Sequence, residues 1–139
     1  MDLYHGSKKL FSKLKKRKAH APPGRPPEEA LDAIYLTPDF LFALLSAARP
    51  PGTIKMGMNQ IDNLDTAERV VYFENPDQFD PDETIYIYCV DPTKIPEDKK
   101  IYIDLLQTAV TEDEIIPDKI ETHKAGDLLK YYHLVDEWD

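Results

Sequence analysis

Hydrophobic residues fall in short runs along this chain, and the strongest run is Thr84–Val90. Its β-branched and aromatic residues follow one another with no charged side chain, which predicts a central strand covered on both faces. Shorter runs of similar character predict further strands at residues 1–5, 34–36, 70–73, 100–103, 108–111 and 114–120.

Three segments have the spacing or the boundary residues of helices. Apolar residues recur at helical intervals among the lysines of residues 8–18, which predicts a basic amphipathic turn or helix. Thr37 and Pro38 have the form of a helix start, as N-cap and first helical residue. The apolar run behind them predicts a helix that ends near residue 48, before a proline pair. A third helix is predicted at residues 125–133.

Strands that alternate with short helices and irregular loops predict an α+β fold. The chain has 139 residues, 42% of them hydrophobic, so we expect one domain over residues 1–139. The proline-rich residues 21–27 predict a stiff surface connector, and residues 52–68 predict a loop with at most one short strand. Cys89 is the only cysteine, so we expect a small buried side chain, with no internal disulfide and no metal site.

Charge is distributed unevenly along the chain, whose formal net charge is −9. Residues 1–25 contain eight basic residues and one acidic residue, whereas the other 114 residues contain nine basic and 25 acidic ones. The cations from Lys8 to Lys18 could contact a polyanion, or they could form a solvated face that pairs with the protein's own acidic surface.

Several function classes receive no support from the sequence. Its longest apolar stretch, Phe40–Ala48, is far shorter than the roughly 20 residues that a membrane-spanning helix needs. We therefore expect no membrane contact and a cytoplasmic location, with a secreted effector as the open alternative. Phosphate-binding glycine loops, paired-cysteine sites and His-Glu-x-x-His are all absent, which argues against kinases, ATPases and zinc hydrolases.

Gly6 and Ser7 break the first predicted strand, which therefore ends at the His5-Gly6 pair. Tyr35 lies about thirty residues later, before the second predicted helix. This pairing resembles the NAD-binding elements of the ADP-ribosyltransferase superfamily, in the His-Tyr-Glu branch that includes poly(ADP-ribose) polymerases and NAD-dependent RNA 2′-phosphotransferases. The order of elements is similar over residues 3–7 and 33–48, and more loosely over residues 84–120.

The resemblance implies split antiparallel β-sheets with a few short helices, and a cleft between the sheets that binds NAD as co-substrate. It implies that His5 hydrogen bonds to a ribose hydroxyl, and that Gly6 pairs through its main chain with the nicotinamide carboxamide. Ser7 is then the small hydroxyl residue that follows, and Tyr35 packs on the nicotinamide ring. A glycine lets a flat amide approach the main chain closely. The implied activity is transfer of ADP-ribose to a macromolecular acceptor, protein or nucleic acid, with release of nicotinamide.

Transferases of this type use a glutamate that bonds the ribose 2′-hydroxyl and stabilises oxocarbenium character. Glu114, with Glu112 second, is the candidate, because this segment resembles the Glu-x-Glu motif of the arginine-modifying branch, in which an arginine replaces His5. Alternatively, the strand at residues 108–111 carries this position, and Gln107 is found where the glutamate is expected. The acidic residues could also form an ordinary solvated turn.

Two other functions stay open. An enzyme similar to the RNA 2′-phosphotransferases would need side chains that clamp a phosphate, and His20, Arg25 and Arg49 are candidates. A catalytically inactive domain of the same family could instead act as a binding module for nucleic acid or protein.

Overall fold

The computed structural model describes residues 2–18, 32–53 and 56–137. These residues form one α-helix and mostly short strands, which confirms the α+β class. The strands are β1 Leu3–Ser7, β2 Leu14–Lys15, β3 Arg17–Lys18, β4 Asp32–Leu36, β5 Met56–Met58, β6 Val70–Phe73, β7 Thr84–Val90, β8 Lys100–Asp104, β9 Gln107–Val110, β10 Glu114–Ile115, β11 Lys119–Lys124 and β12 His133–Val135, and the α-helix is α1 Phe40–Ala48. Short 3-10 helices occupy Pro76–Gln78, Pro92–Lys94, Glu97–Lys99 and Ala125–Lys130.

The strands pair in four small sheets. Three are antiparallel throughout, with the orders β1-β7-β11, β3-β4-β9-β8 and β10-β2. In the fourth sheet β6 pairs antiparallel with β5 and parallel with β12. Strand β7 is the middle strand of its sheet, which confirms the central position predicted from its composition.

Strand β7 contributes to both hydrophobic cores, one on each of its faces. Ile85 and Ile87 belong to the core that packs under α1, whereas Tyr88 and Val90 belong to the core shared with β4 and β9. Side chains alternate between the two faces of a strand, so a strand buried on both faces needs apolar residues at successive positions. This requirement explains the uninterrupted apolar run of β7.

Helix α1 begins two residues later than the sequence predicts. The N-cap is Asp39, whose carboxylate accepts a hydrogen bond from the Phe42 N–H at 3.0 Å, while the Thr37 hydroxyl accepts from the Asp39 N–H. The prediction of Thr37 as N-cap is therefore wrong. Asp39 is favoured because its carboxylate also pairs with the guanidinium of Arg69. Arg69 is only 3% exposed, and its guanidinium also donates to Tyr132 Oη.

The predicted amphipathic turn or helix at residues 8–18 is also wrong. Residues of this segment instead form β2, which pairs with β10, and β3, which pairs with β4. The buried Tyr88 fixes the segment because its hydroxyl accepts from the Phe11 N–H at 2.6 Å and donates to the Lys9 carbonyl at 2.8 Å. These contacts come from a distant strand and override the local helical spacing.

Two C-terminal predictions need smaller corrections. The run at residues 114–120 divides into β10 and β11, which belong to different sheets. The predicted helix at residues 125–133 is a six-residue 3-10 helix, and the next residues form β12. The predicted loop at residues 52–68 contains the short strand β5, as allowed, and the proline-rich residues 21–27 lie outside the described residues.

Cys89 is buried, as expected, and burial raises the pKa of its thiol to about 11. None of the helices in the described residues is long and apolar enough to cross a membrane. Within residues 2–18, 32–53 and 56–137, no three His, Cys, Asp or Glu side chains are grouped so that they could hold a metal ion.

Candidate functional site

The structure brings His5 and Tyr35 into contact. The main chains of Tyr4 and Thr37 exchange two hydrogen bonds, of 2.7 and 2.9 Å, which join β1 to the residue that follows β4. As a result, the imidazole of His5 lies beside β4, and its Nδ1 donates to the Tyr35 carbonyl oxygen at 2.9 Å. Residues thirty positions apart in the sequence therefore form one local arrangement.

This hydrogen bond fixes the chemistry of the His5 ring. A carbonyl oxygen only accepts, so the proton of the neutral ring is on Nδ1, and Nε2 is left as an acceptor. Burial lowers the pKa of His5; the bond to Tyr35 opposes this shift, and the nearby Arg17 cation adds to it. The ring is therefore neutral at physiological pH, and it can accept a hydrogen bond from a hydroxyl group.

Gly6 lies at the exposed edge of β1. In an antiparallel pair, the main-chain groups of every second residue point away from the partner strand. Tyr4 directs its N–H and C=O away from β7 and toward Thr37. Gly6, two residues later, therefore directs its own main-chain groups to the same side. Within the described residues, neither group forms a hydrogen bond with a side chain or with a loop. The edge of β1 therefore presents one donor and one acceptor side by side.

Packing also requires a glycine at this position. A Cβ atom on Gly6 would overlap the carbonyl oxygen of Ala43 in α1 and would lie 3.0 Å from the Ala47 Cβ. The absence of a side chain allows α1 to lie directly on β1. The same close approach places Ala43 and Ser46 of the helix beside the edge of β1.

Two cavities adjoin at His5 and Tyr35, which line both of them. The smaller one, of about 270 Å³, is also lined by Gly6, Ser46 and Gln107. The larger one, of about 970 Å³, has a strongly basic wall formed by Lys13, Lys15, Lys16, Arg17 and Arg49.

The cations of this basic wall differ in their partners. Lys13 pairs with Glu114 at 3.0 Å, and Lys16 pairs with Asp113 at 3.0 Å. In the part of the chain that the structure describes, Lys15, Arg17 and Arg49 have no carboxylate partner. The guanidinium of Arg17 lies 5.2 Å from the centre of the Phe11 ring, which also lines this cavity. The larger cavity therefore has an excess of positive charge.

The other candidates for the site are distributed differently. Ser7 ends β1, and its hydroxyl accepts from the Lys9 N–H. Neither Glu112 nor Glu114 lines either cavity, and the carboxylate of Glu114 is half-exposed in its ion pair with Lys13. Gln107, the alternative position for the glutamate, does line the smaller cavity.

Arg49 lines the larger cavity, whereas His20 and Arg25, the other candidates for a phosphate clamp, lie outside the described residues. Sequence reasoning missed Asp104, whose carboxylate accepts from Gln107 Nε2 at 3.2 Å. The signal that could have found it is the hairpin β8–β9, because its tip joins Asp104 to Gln107 within three residues.

Comparison of the chain with protein-family models gives no match, and comparisons with curated proteins and with solved structures give no significant similarity. The resemblance to the ADP-ribosyltransferase superfamily therefore depends on the residue types and the order of elements in this chain alone.

Proposed function

We propose that this cleft binds NAD and that the protein transfers ADP-ribose from NAD to a macromolecular acceptor, with release of nicotinamide. The observation that carries the proposal is the contact between His5 and Tyr35 beside the exposed edge of Gly6. The split antiparallel arrangement of the ADP-ribosyltransferase superfamily is part of the same proposal.

In this proposal the smaller cavity takes the nicotinamide end of NAD. The carboxamide has one acceptor and one donor group, which complement the N–H and C=O of Gly6. The phenol ring of Tyr35 packs against the pyridine ring, since aromatic rings attract one another in offset or edge-on arrangements. Nε2 of His5 accepts a hydrogen bond from a hydroxyl of the adjacent ribose.

The larger cavity takes the diphosphate and the adenosine. Guanidinium and ammonium groups bind phosphate oxygens strongly, and Lys15, Arg17 and Arg49 have no carboxylate in the described residues with which such a ligand would compete. Phe11 offers an aromatic face in the same cavity. The two cavities together match a ligand that is neutral and planar at one end and anionic beyond it.

Thermal unfolding with and without NAD tests the proposal. A ligand that binds only the folded state at about 100 times its Kd adds about 2.7 kcal/mol of stability, so millimolar NAD should raise Tm by several degrees. His5→Ala and Tyr35→Ala should abolish the rise. His133→Ala and Tyr131→Ala are matched controls, because both side chains are exposed and line neither cavity. No stabilisation of the wild type by millimolar NAD would refute the proposal.

A second candidate function is a binding module without turnover. It is favoured by the position of Gln107, an uncharged residue, on the wall where a catalytic carboxylate is expected. Such a module would bind nucleic acid through the basic wall, with an affinity that falls steeply as salt rises and that is weakened by Lys15→Ala. Release of nicotinamide from NAD by the wild type would exclude it.

A further inference from the structure

The hairpin between β8 and β9 connects one carboxylate to the smaller cavity through the amide of a neighbouring glutamine. Asp104 ends β8 and Gln107 begins β9. Asp104 Oδ1 accepts from the Leu106 N–H at 2.9 Å and so fixes the turn. Asp104 Oδ2 accepts from Gln107 Nε2 at 3.2 Å, while Gln107 lines the cavity together with His5 and Gly6.

This arrangement determines which end of the Gln107 amide is bound to the hairpin. The amide nitrogen is directed to Asp104, so the amide oxygen is at the opposite end of the planar group. A negative charge on the nitrogen side also polarises the amide and makes its oxygen a stronger acceptor, because hydrogen bonds in a chain strengthen one another. Together the two side chains have the single negative charge of one glutamate.

We infer that Asp104 is a positioning residue for catalysis, and that the pair Asp104–Gln107 replaces the glutamate that the ADP-ribosyltransferase resemblance implies. The inference rests on the proposed function. The amide oxygen of Gln107 accepts a hydrogen bond from the 2′-hydroxyl of the ribose that is bonded to nicotinamide, and the carboxylate of Asp104 acts on this bond through the amide.

The reaction that the pair assists is balanced without a further reagent. The bond between the ribose C1′ and the pyridinium nitrogen breaks, and its electron pair leaves with neutral nicotinamide. Positive charge then develops on C1′ and the ring oxygen, where the polarised 2′-hydroxyl stabilises it. Water, or a hydroxyl of the acceptor, adds at C1′ and loses its proton to solvent.

The experiment measures NAD binding by calorimetry and nicotinamide release with water as acceptor, for the wild type, Asp104→Asn and Gln107→Glu. Asp104→Asn keeps an oxygen for the Leu106 N–H but removes the charge, so kcat should fall about tenfold, as expected for one charge-assisted hydrogen bond, with KM nearly unchanged. Gln107→Glu places a carboxylate on the wall but sets it against the carboxylate of Asp104, so kcat should exceed that of the wild type only when Asp104→Asn is added. Asp98→Asn is the matched control, since Asp98 is exposed and lines neither cavity.

A second comparison separates positioning from a structural role. In the Gln107→Glu background Asp104 repels the new carboxylate, and an asparagine would donate to it, so Asp104→Asn should raise kcat there and not lower it. Equal losses in both backgrounds, or a loss no larger than that of Asp98→Asn, would overturn the inference while NAD binding stands. Binding of NAD with no turnover by the wild type would overturn it as well. If calorimetry shows no binding of NAD to the wild type, both proposals are rejected.

Discussion

The close approach of α1 to β1 makes Gly6→Ala the sharpest test of how the site is built. The added Cβ would overlap the Ala43 carbonyl oxygen and lie 2.9 Å from the Ala43 carbonyl carbon. Overpacking of a core usually costs about 1–3 kcal/mol, and we expect about 3 kcal/mol here because the clash is with main chain, which cannot rotate away. With about 2.1 cal/mol/K of unfolding entropy per residue, a chain of 139 residues should lose about 10 °C in Tm.

The assay is thermal unfolding followed by circular dichroism, with Gly52→Ala as the control. Gly52 has a φ of 73°, but apart from its chain neighbours no atom lies within 4 Å of the position that a Cβ would take. This substitution therefore reports only left-handed backbone strain, of about 1–2 kcal/mol. Gly6→Ala should be clearly the more destabilising of the two. If both variants lost the same stability, the helix would not pack directly on Gly6, and the derivation of the cavity wall from that contact would be refuted.

Three further predictions concern groups around the site. Because the pKa of His5 is lowered in the folded state, the contribution of neutral His5 to stability is complete above the usual pKa of 6.5. It is lost as pH falls through the folded pKa. His5→Asn should therefore flatten the dependence of the unfolding free energy on pH just below 6.5. Tyr88→Phe removes two hydrogen bonds to residues 8–18, the one from the Phe11 N–H and the one to the Lys9 carbonyl. The free energy of unfolding in urea should fall by about 2 kcal/mol. Arg69→Met leaves the Asp39 carboxylate buried and unpaired, which should cost about 3–5 kcal/mol, and adding Asp39→Asn should recover part of the loss.

The elements that were predicted correctly are those whose sequence pattern and tertiary surroundings agree. Strand β7 is apolar at successive positions because both of its faces are buried. The segment at residues 8–18 is different, since three apolar residues at helical spacing gave a consistent local signal. The deciding contacts there come from Tyr88, about eighty residues away, and from pairing with β4 and β10. Such contacts leave no periodic trace in the segment itself.

The same distinction applies to the candidate site. The residue types of His5, Gly6 and Tyr35 could be chosen from the sequence because of the resemblance. Their contact could not be derived, since it depends on the bridge between Tyr4 and Thr37. Asp104 does not stand out by residue type or through the resemblance. Only the pairing of β8 with β9 in a hairpin could have indicated that its carboxylate meets the amide of Gln107.

Glu114→Gln decides between Glu114 and Gln107 as the residue that bonds the ribose 2′-hydroxyl. If Glu114 is catalytic, as its resemblance to a Glu-x-Glu motif implies, the variant should bind NAD and release no nicotinamide. The structure leads to the opposite expectation, because Glu114 pairs with Lys13 and does not line the cavities. A half-exposed ion pair contributes about 0–1 kcal/mol, so stability should hardly change. Loss of that carboxylate leaves the charge of Lys13 without its partner and raises the positive potential in the larger cavity. NAD should therefore bind more tightly at low salt, while nicotinamide release continues. Loss of nicotinamide release in Glu114→Gln would therefore refute the assignment of the catalytic position to Gln107.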